Sequence, residues 1–219
     1  MISSLVAIKS TPKVIEQFLI YGISKKFLQG DIILREDAYI KAIPIVISGS
    51  LRVGSSNSAL VAAAVLASTN DVQVSAFDGI RSLPHFNPDL DVDPVIPTVA
   101  AWRAALNESD AVLISTPEYA HGLPGVLKNS LDWIVSSGEF MKKPVGLLNA
   151  SARSTYAQAS LVETLSVMMA IIVPGATVTV PLNGRPWDAA AILADSAAAH
   201  TIMNAIAALQ QAIAQSAVG

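Results

Sequence analysis

The chain has 219 residues, enough for one domain of ordinary size with some to spare; it is 52% hydrophobic, only 14% charged, and carries a net charge of -3. That balance excludes the basic footprint of a nucleic-acid binder. The lack of cysteine excludes disulfides, thiolate metal sites, iron–sulfur clusters and a cysteine nucleophile.

The mean hydropathy is +0.51, yet no apolar run approaches the roughly 18 residues that span a bilayer. The first residues, Met1 to Thr11, lack the basic region and long apolar core of a signal peptide. A cytoplasmic chain with no membrane partner is therefore expected. A surface this apolar predicts burial between subunits, in a homodimer or homotetramer.

Residues 1–42 stand apart from the pattern that follows. Leu19, Ile20, Ile23 and Phe27 mark one face of a possible helix, with Gly30 as its stop. Two readings stay open for this N-terminal extension: a helical arm, or a segment without a stable fold. From residue 43 to 219, five apolar, β-rich segments alternate with helical ones. Strands are predicted at 43–47, 72–77, 111–114, 145–148 and 177–180. Helices are predicted at 57–68, 96–107, 124–136, 156–172 and 188–216. Strict βα alternation implies a parallel sheet, because parallel neighbours need a crossover, and strands without polar alternation imply that both faces are covered. The expectation is an α/β, flavodoxin-like three-layer fold with a five-stranded parallel sheet of order 2-1-3-4-5. Its switch point lies between the first and third strands.

Two loops at that point carry the chemistry. After the first strand comes Ser48-Gly49-Ser50-Leu51-Arg52-Val53-Gly54-Ser55-Ser56-Asn57-Ser58. Glycines let successive N–H groups face one concavity, the next helix adds its positive end, and Arg52 offers a charge-assisted fork. Such a loop suits a terminal phosphate. It is neither G-x-x-x-x-G-K-[ST] nor G-x-G-x-x-G, which disfavours a nucleotide-triphosphate loop and the dinucleotide fingerprint. The bland alternative is a serine-rich turn with an N-cap. After the third strand comes Thr116-Pro117-Glu118-Tyr119-Ala120-His121-Gly122-Leu123-Pro124-Gly125-Val126-Leu127-Lys128-Asn129, a Pro/Gly-punctuated loop running into a helix.

Together, GSLRVGSSN and TPEYAHGLPGVLKNSLDW resemble the NADPH-dependent FMN reductase family, flavodoxin-like reductases of flavins, quinones, azo dyes and chromate. The resemblance implies an enzyme with FMN and NADPH as cofactors and a small-molecule electron acceptor as partner. It implies that Ser50, Arg52, Ser55, Ser56 and Asn57 hold the FMN phosphate, and that Pro117, Glu118, Tyr119, Ala120, His121 and Gly122 lie along the isoalloxazine ring. It also implies a third flavin-facing loop at residues 149–154, with Ser151 and Arg153 as contacts. The chain departs from the family pattern at Arg153-Ser154, where many members carry a glycine pair, and at Ala120, where asparagine is common. Arg153 is then a contact for the pyrimidine end or for the NADPH phosphate.

Flavin hydride transfer needs no protein base, so no catalytic side chain is assigned. Glu118 reads as a structural carboxylate, bonding backbone or helping the subunit contact, in preference to a general acid or base. His121 reads as a polar surface residue in preference to a proton donor, and Tyr119 equally as a stacking or a packing side chain. His85, His121 and His200 are dispersed, so no metal site is expected, and G-x-S-x-G is absent. A flavodoxin-type electron carrier is the alternative reading; the small net charge and the arginine in the phosphate loop weigh against it. A flavin-binding sensor without turnover is another.

Overall fold

The computed structural model describes residues 15–20, 23–27, 43–47, 54–69, 72–182 and 187–216. The chain divides into two compact units, Met1–Ile40 and Lys41–Gly219. In the first, β1 (Ile15–Ile20) and β2 (Ile23–Phe27) form an antiparallel pair with Ile20 opposite Ile23 and Leu19 opposite Ser24. This replaces the helical face read from Leu19, Ile20, Ile23 and Phe27. Isoleucine and phenylalanine favour strand, and pairing between sequence neighbours closes the shortest of loops. Gly30 lies outside the described residues.

The second unit contains β3 (Ile43–Ile47), α1 (Ser56–Leu66), β4 (Val74–Phe77), α2 (Pro97–Asn107), β5 (Val112–Ser115), α3 (Gly125–Asp132), β6 (Pro144–Asn149), α4 (Thr155–Val167), β7 (Ile171–Thr179), α5 (Ala189–Ala194) and α6 (Ser196–Ser216). The strands pair in parallel, in the order β4-β3-β5-β6-β7. Every residue of β5 and β6 is buried, as expected of central strands covered on both faces. On one face, Val112 and Ile114 of β5 with Val145 and Leu147 of β6 join a core with Trp102, Leu106, Leu127, Leu131, Leu161 and Leu165 from α2, α3 and α4. On the other face lie α1 and α6, with α5 packed against both. There Gly146 admits no larger residue: a Cβ would fall 2.6 Å from that of Ala176 and 2.9 Å from Leu113 Cδ1. No described helix is long and apolar enough to cross a membrane.

Three element boundaries differ most from expectation. The helix predicted over 156–172 ends at Val167, and the strand predicted over 177–180 begins at Ile171. Met169 takes a φ of 63°, its carbonyl accepts from Lys142 N–H at 2.8 Å, and Ile171 N–H donates to the Lys143 carbonyl at 2.9 Å. These bonds give the β-branched run Ile171-Ile172-Val173 to the sheet. The register then slips between Val145 and Leu147, where β7 carries Pro174-Gly175 as an irregularity that an edge strand tolerates. The last predicted helix breaks at Asp195, whose carboxylate accepts from Ala198 N–H at 3.0 Å and so starts α6 afresh.

The segment between β4 and α2 is fastened to the helices beside it. Asn129 donates to the Pro84 carbonyl at 2.9 Å and accepts from Phe86 N–H at 2.7 Å, while Trp133 Nε1 donates to the same carbonyl at 2.8 Å. Trp133 is thus a buried core residue. Asp91 accepts from Ser136 Oγ at 2.6 Å and from Arg103 at 2.8 Å. The Ser136 hydrogen bond, joined by the Arg103 guanidinium and opposed by burial, holds the Asp91 carboxyl below its ordinary value.

Candidate active site

A cleft of about 270 Å³ lies where three chain segments meet, just past the carboxyl ends of β5 and β6 and at the start of α1. Ser56 and Asn57 come from α1. Thr116, Pro117 and Glu118 follow β5, and Asn149, Ala150, Ser151, Arg153 and Ser154 end β6 and lead into α4. Leu182 closes one side, its N–H donating to the Ala150 carbonyl at 3.0 Å. Such crevices outside the carboxyl ends of strands are where open α/β sheets hold ligands.

The start of α1 is set by local chemistry. Gly54 has a φ of 75°, a conformation that L side chains avoid, and it lets the chain enter the helix tightly. Ser55 is the N-cap: its Oγ accepts from Ser58 N–H at 3.1 Å, so this hydroxyl serves the helix rather than lining the cleft. Asn57 is buried and its Oδ1 accepts from Ser115 Oγ at 2.9 Å, which leaves its NH₂ as the end available to a ligand. No acidic residue stands in the first turn, so the N–H groups and positive dipole end face the cleft without a competing anion of their own. Ser50 and Arg52 lie outside the described residues.

The second segment makes a sharp turn. Tyr119 and Gly122 exchange backbone hydrogen bonds at 3.1 and 2.9 Å, and Ala120 and His121 between them have φ of 48° and 60°. Positive φ at both central positions is the pattern of a type I′ turn, which asparagine or glycine adopts more readily than alanine. Glu118 reaches across to α4, its Oε2 accepting from Ala157 N–H at 2.9 Å. The His121 ring stacks on that of Tyr156, with centroids 4.2 Å apart and planes 20° apart. Tyr119, Ala120 and His121 are exposed, and with Gly122 they stand beyond the cleft lining.

The third segment is shaped by Asn149. Its Nδ2 donates to the Ser154 carbonyl at 3.0 Å and to Gln158 Oε1 at 2.7 Å, and its Oδ1 accepts from Ser151 N–H at 3.0 Å. Ser151 Oγ accepts from Arg153 N–H at 3.3 Å. No residue from 150 to 154 has positive φ, so Arg153-Ser154 follows this path without needing the glycine pair. Of the predicted contacts, Ser56, Asn57, Pro117, Glu118, Ser151 and Arg153 come together here. Thr116, Asn149, Ala150, Ser154 and Leu182 also line the cleft; Asn149, Ala150 and Ser154 fall within the third loop read at 149–154, whereas nothing local marks Leu182.

The donor set suits a flavin mononucleotide. One end of the cleft offers a helix start with neutral polar side chains for a phosphate, and the rest offers loop backbone and hydroxyls for a planar polar ring.

A parallel sheet flanked by helices, with a polar cleft at the strand ends, defines a flavodoxin-like α/β protein. The profile of the NADPH-dependent FMN reductase family matches residues 45–184. An NAD(P)H-dependent FMN reductase of Pseudomonas aeruginosa is 34% identical over 169 residues, covering 75% of this chain and 91% of that protein. A quinone reductase of Escherichia coli K12 is 33% identical over 91 residues, 41% of this chain and 48% of that protein. Among solved structures, the flavoenzyme NAD(P)H:(acceptor) oxidoreductase FerB of Paracoccus denitrificans superposes with a TM-score of 0.63 at 26% identity, covering 80% of this chain and 98% of that one. The chain belongs to the NADPH-dependent FMN reductase family, and it is an oxidoreductase that uses FMN and NAD(P)H.

Proposed function

We propose that the chain holds FMN in this cleft and relays a hydride from NADPH to a small acceptor of the quinone class. The observation that carries the reading is the convergence of three separate segments on one polar cleft beside an uncharged helix start. The quinone reductase similarity supports the acceptor class. When bound, FMN supplies a centre that takes two electrons from the nicotinamide and returns them to the acceptor.

The chain's own part is to bind and orient. Ser56, Asn57 and the first N–H groups of α1, with Ser50 and Arg52, hold the phosphate, and the Ser55 cap fixes the helix start that presents those groups. Residues 117–122 lie along the ring, and their backbone groups tune it. Ser151 and Arg153 face the pyrimidine end or the phosphate of NADPH. Glu118 is engaged by Ala157 N–H and His121 by Tyr156, which supports rate enhancement through geometry without an acid–base pair.

The strand order 2-1-3-4-5 belongs to the same reading, supported by the pairing of β3 with both β4 and β5. Residues 43–219 form the reductase domain and residues 1–42 an N-terminal extension, a division supported by a family match that starts at residue 45. The working form is a cytoplasmic homodimer or homotetramer. Val135, 61% exposed, and Val167, 74% exposed, border a groove of about 310 Å³ between α3 and α4, and they support burial against a second copy.

Apoprotein reconstituted with FMN is expected to show a bound-flavin spectrum that bleaches anaerobically with NADPH and recovers on adding a benzoquinone. A spectrum that stays oxidised with NADPH and NADH would refute the reductase assignment for this chain. Failure to bind flavin would refute the cleft.

A further inference from the structure

Residues 116–122 and the first turn of α4 are separate in sequence, yet two contacts on either side of one strained turn join them. On one side Glu118 Oε2 accepts from Ala157 N–H at 2.9 Å; on the other, His121 stacks on Tyr156. Ala120, between them, and His121 itself hold positive φ, an arrangement that L residues leave unless their surroundings impose it. The start of α4 has the matching need. Its own N-cap residue, Ser154, makes no side-chain capping bond, and its first turn holds no acidic residue. The third N–H of the helix is therefore met by a carboxylate from another loop, which also suits the positive end of the helix dipole.

We infer that Glu118 is a positioning residue. By fastening residues 116–122 to α4 it sets the backbone that faces the flavin ring before any ligand enters, and the His121–Tyr156 stack is the second fastening of the same loop. The inference rests on the FMN reading of the cleft. It separates two sides of the site: the start of α1 governs the phosphate, and the Glu118 fastening governs the ring. Riboflavin, which lacks the phosphate, tells them apart.

The test is titration of the apoprotein with FMN and with riboflavin in the wild type, Glu118→Ala, Glu118→Gln and Tyr156→Ala. Glu118→Ala is expected to lose affinity for both flavins by a similar factor, roughly five- to thirty-fold, the worth of one or two kcal/mol. Glu118→Gln, whose amide oxygen accepts the same bond, is expected to restore most of that affinity. Tyr156→Ala is expected to show a smaller loss of the same kind, and it serves if Glu118→Ala does not fold. A lower melting temperature in Glu118→Ala with both flavin affinities unchanged would overturn the inference, as would a Gln variant as impaired as the Ala variant. If wild-type protein binds neither flavin, the cofactor reading fails by itself. The fastening is then judged by the Ala157 amide: faster hydrogen exchange in Glu118→Ala than in Glu118→Gln supports it, and equal exchange overturns it.

Discussion

The two helix starts that border the cleft are capped in opposite ways. At α1 the cap is local: Ser55 Oγ accepts from Ser58 N–H, three residues on, and forms whenever the helix forms. At α4 the local candidate, Ser154, makes no such bond, and Glu118 supplies the acceptor from 39 residues away. A local cap stabilises its helix and little else. A remote one makes the helix start and the distant loop depend on each other, so damage at either is felt at both. The charge differs too, neutral at α1 and anionic at α4, which leaves α1 as the end of the cleft suited to a phosphate.

The comparison can be broken most directly at Asn57. Replacing it with Ala leaves the Ser115 hydroxyl, whose residue is fully buried, without its acceptor, and is expected to destabilise the fold by about 1–3 kcal/mol in urea unfolding. A cost near zero would mean that α1 is not anchored to β5 through this pair.

Ser55→Ala and Glu118→Ala are each expected to cost about 1 kcal/mol, as lost caps do. Double-mutant cycles with Tyr156→Ala separate them. The Glu118 cycle is expected to show a coupling of about 0.5 kcal/mol or more, and the Ser55 cycle to be additive within about 0.3–0.5 kcal/mol. Equal couplings would erase the distinction between local and remote caps.

Ala120→Gly sharpens the picture from the loop side. Relief of positive φ at this position is expected to stabilise by up to about 1 kcal/mol, after the entropic cost of glycine. A destabilised variant in thermal unfolding would show that the turn carries no such strain.

The smallest effect is expected at Asp91, which lies on neither helix start and provides a baseline. Its folded pKa is lowered from 3.8, so its contribution is complete above that ordinary value and is lost as pH falls through the lower, folded value. Asp91→Asn is expected to lower stability near neutral pH and to shallow the acid limb of a pH–stability curve. An unchanged acid limb would contradict the shift.

Much of the frame was readable in advance. The apolar runs at 43–47 and 145–148, and the Pro/Gly punctuation after residue 116, mark strand, loop and helix by local chemistry. The end of α4 was not readable, because Met168 to Val173 is as apolar as a buried helix and as β-branched as a strand. Backbone bonds from Lys142 and to Lys143 decided between them. The break at Asp195 was hidden for a related reason: alanines on both sides favour helix, and only a side chain bonding Ala198 N–H restarts it.

By itself, then, the sequence determined what depends on neighbours in the chain: the βα alternation, the Ser55 cap, the glycine entry at Gly54 and the two loops that identify the family. Only the tertiary structure decided which groups meet across the fold: Glu118 with Ala157, His121 with Tyr156, Asn57 with Ser115, and Asn129 with Pro84. The physical reason is one of range. Caps, turns and periodicity act over three or four residues and leave a pattern in the sequence, whereas a hydrogen bond between residues 39 or more apart leaves none until packing brings its partners together.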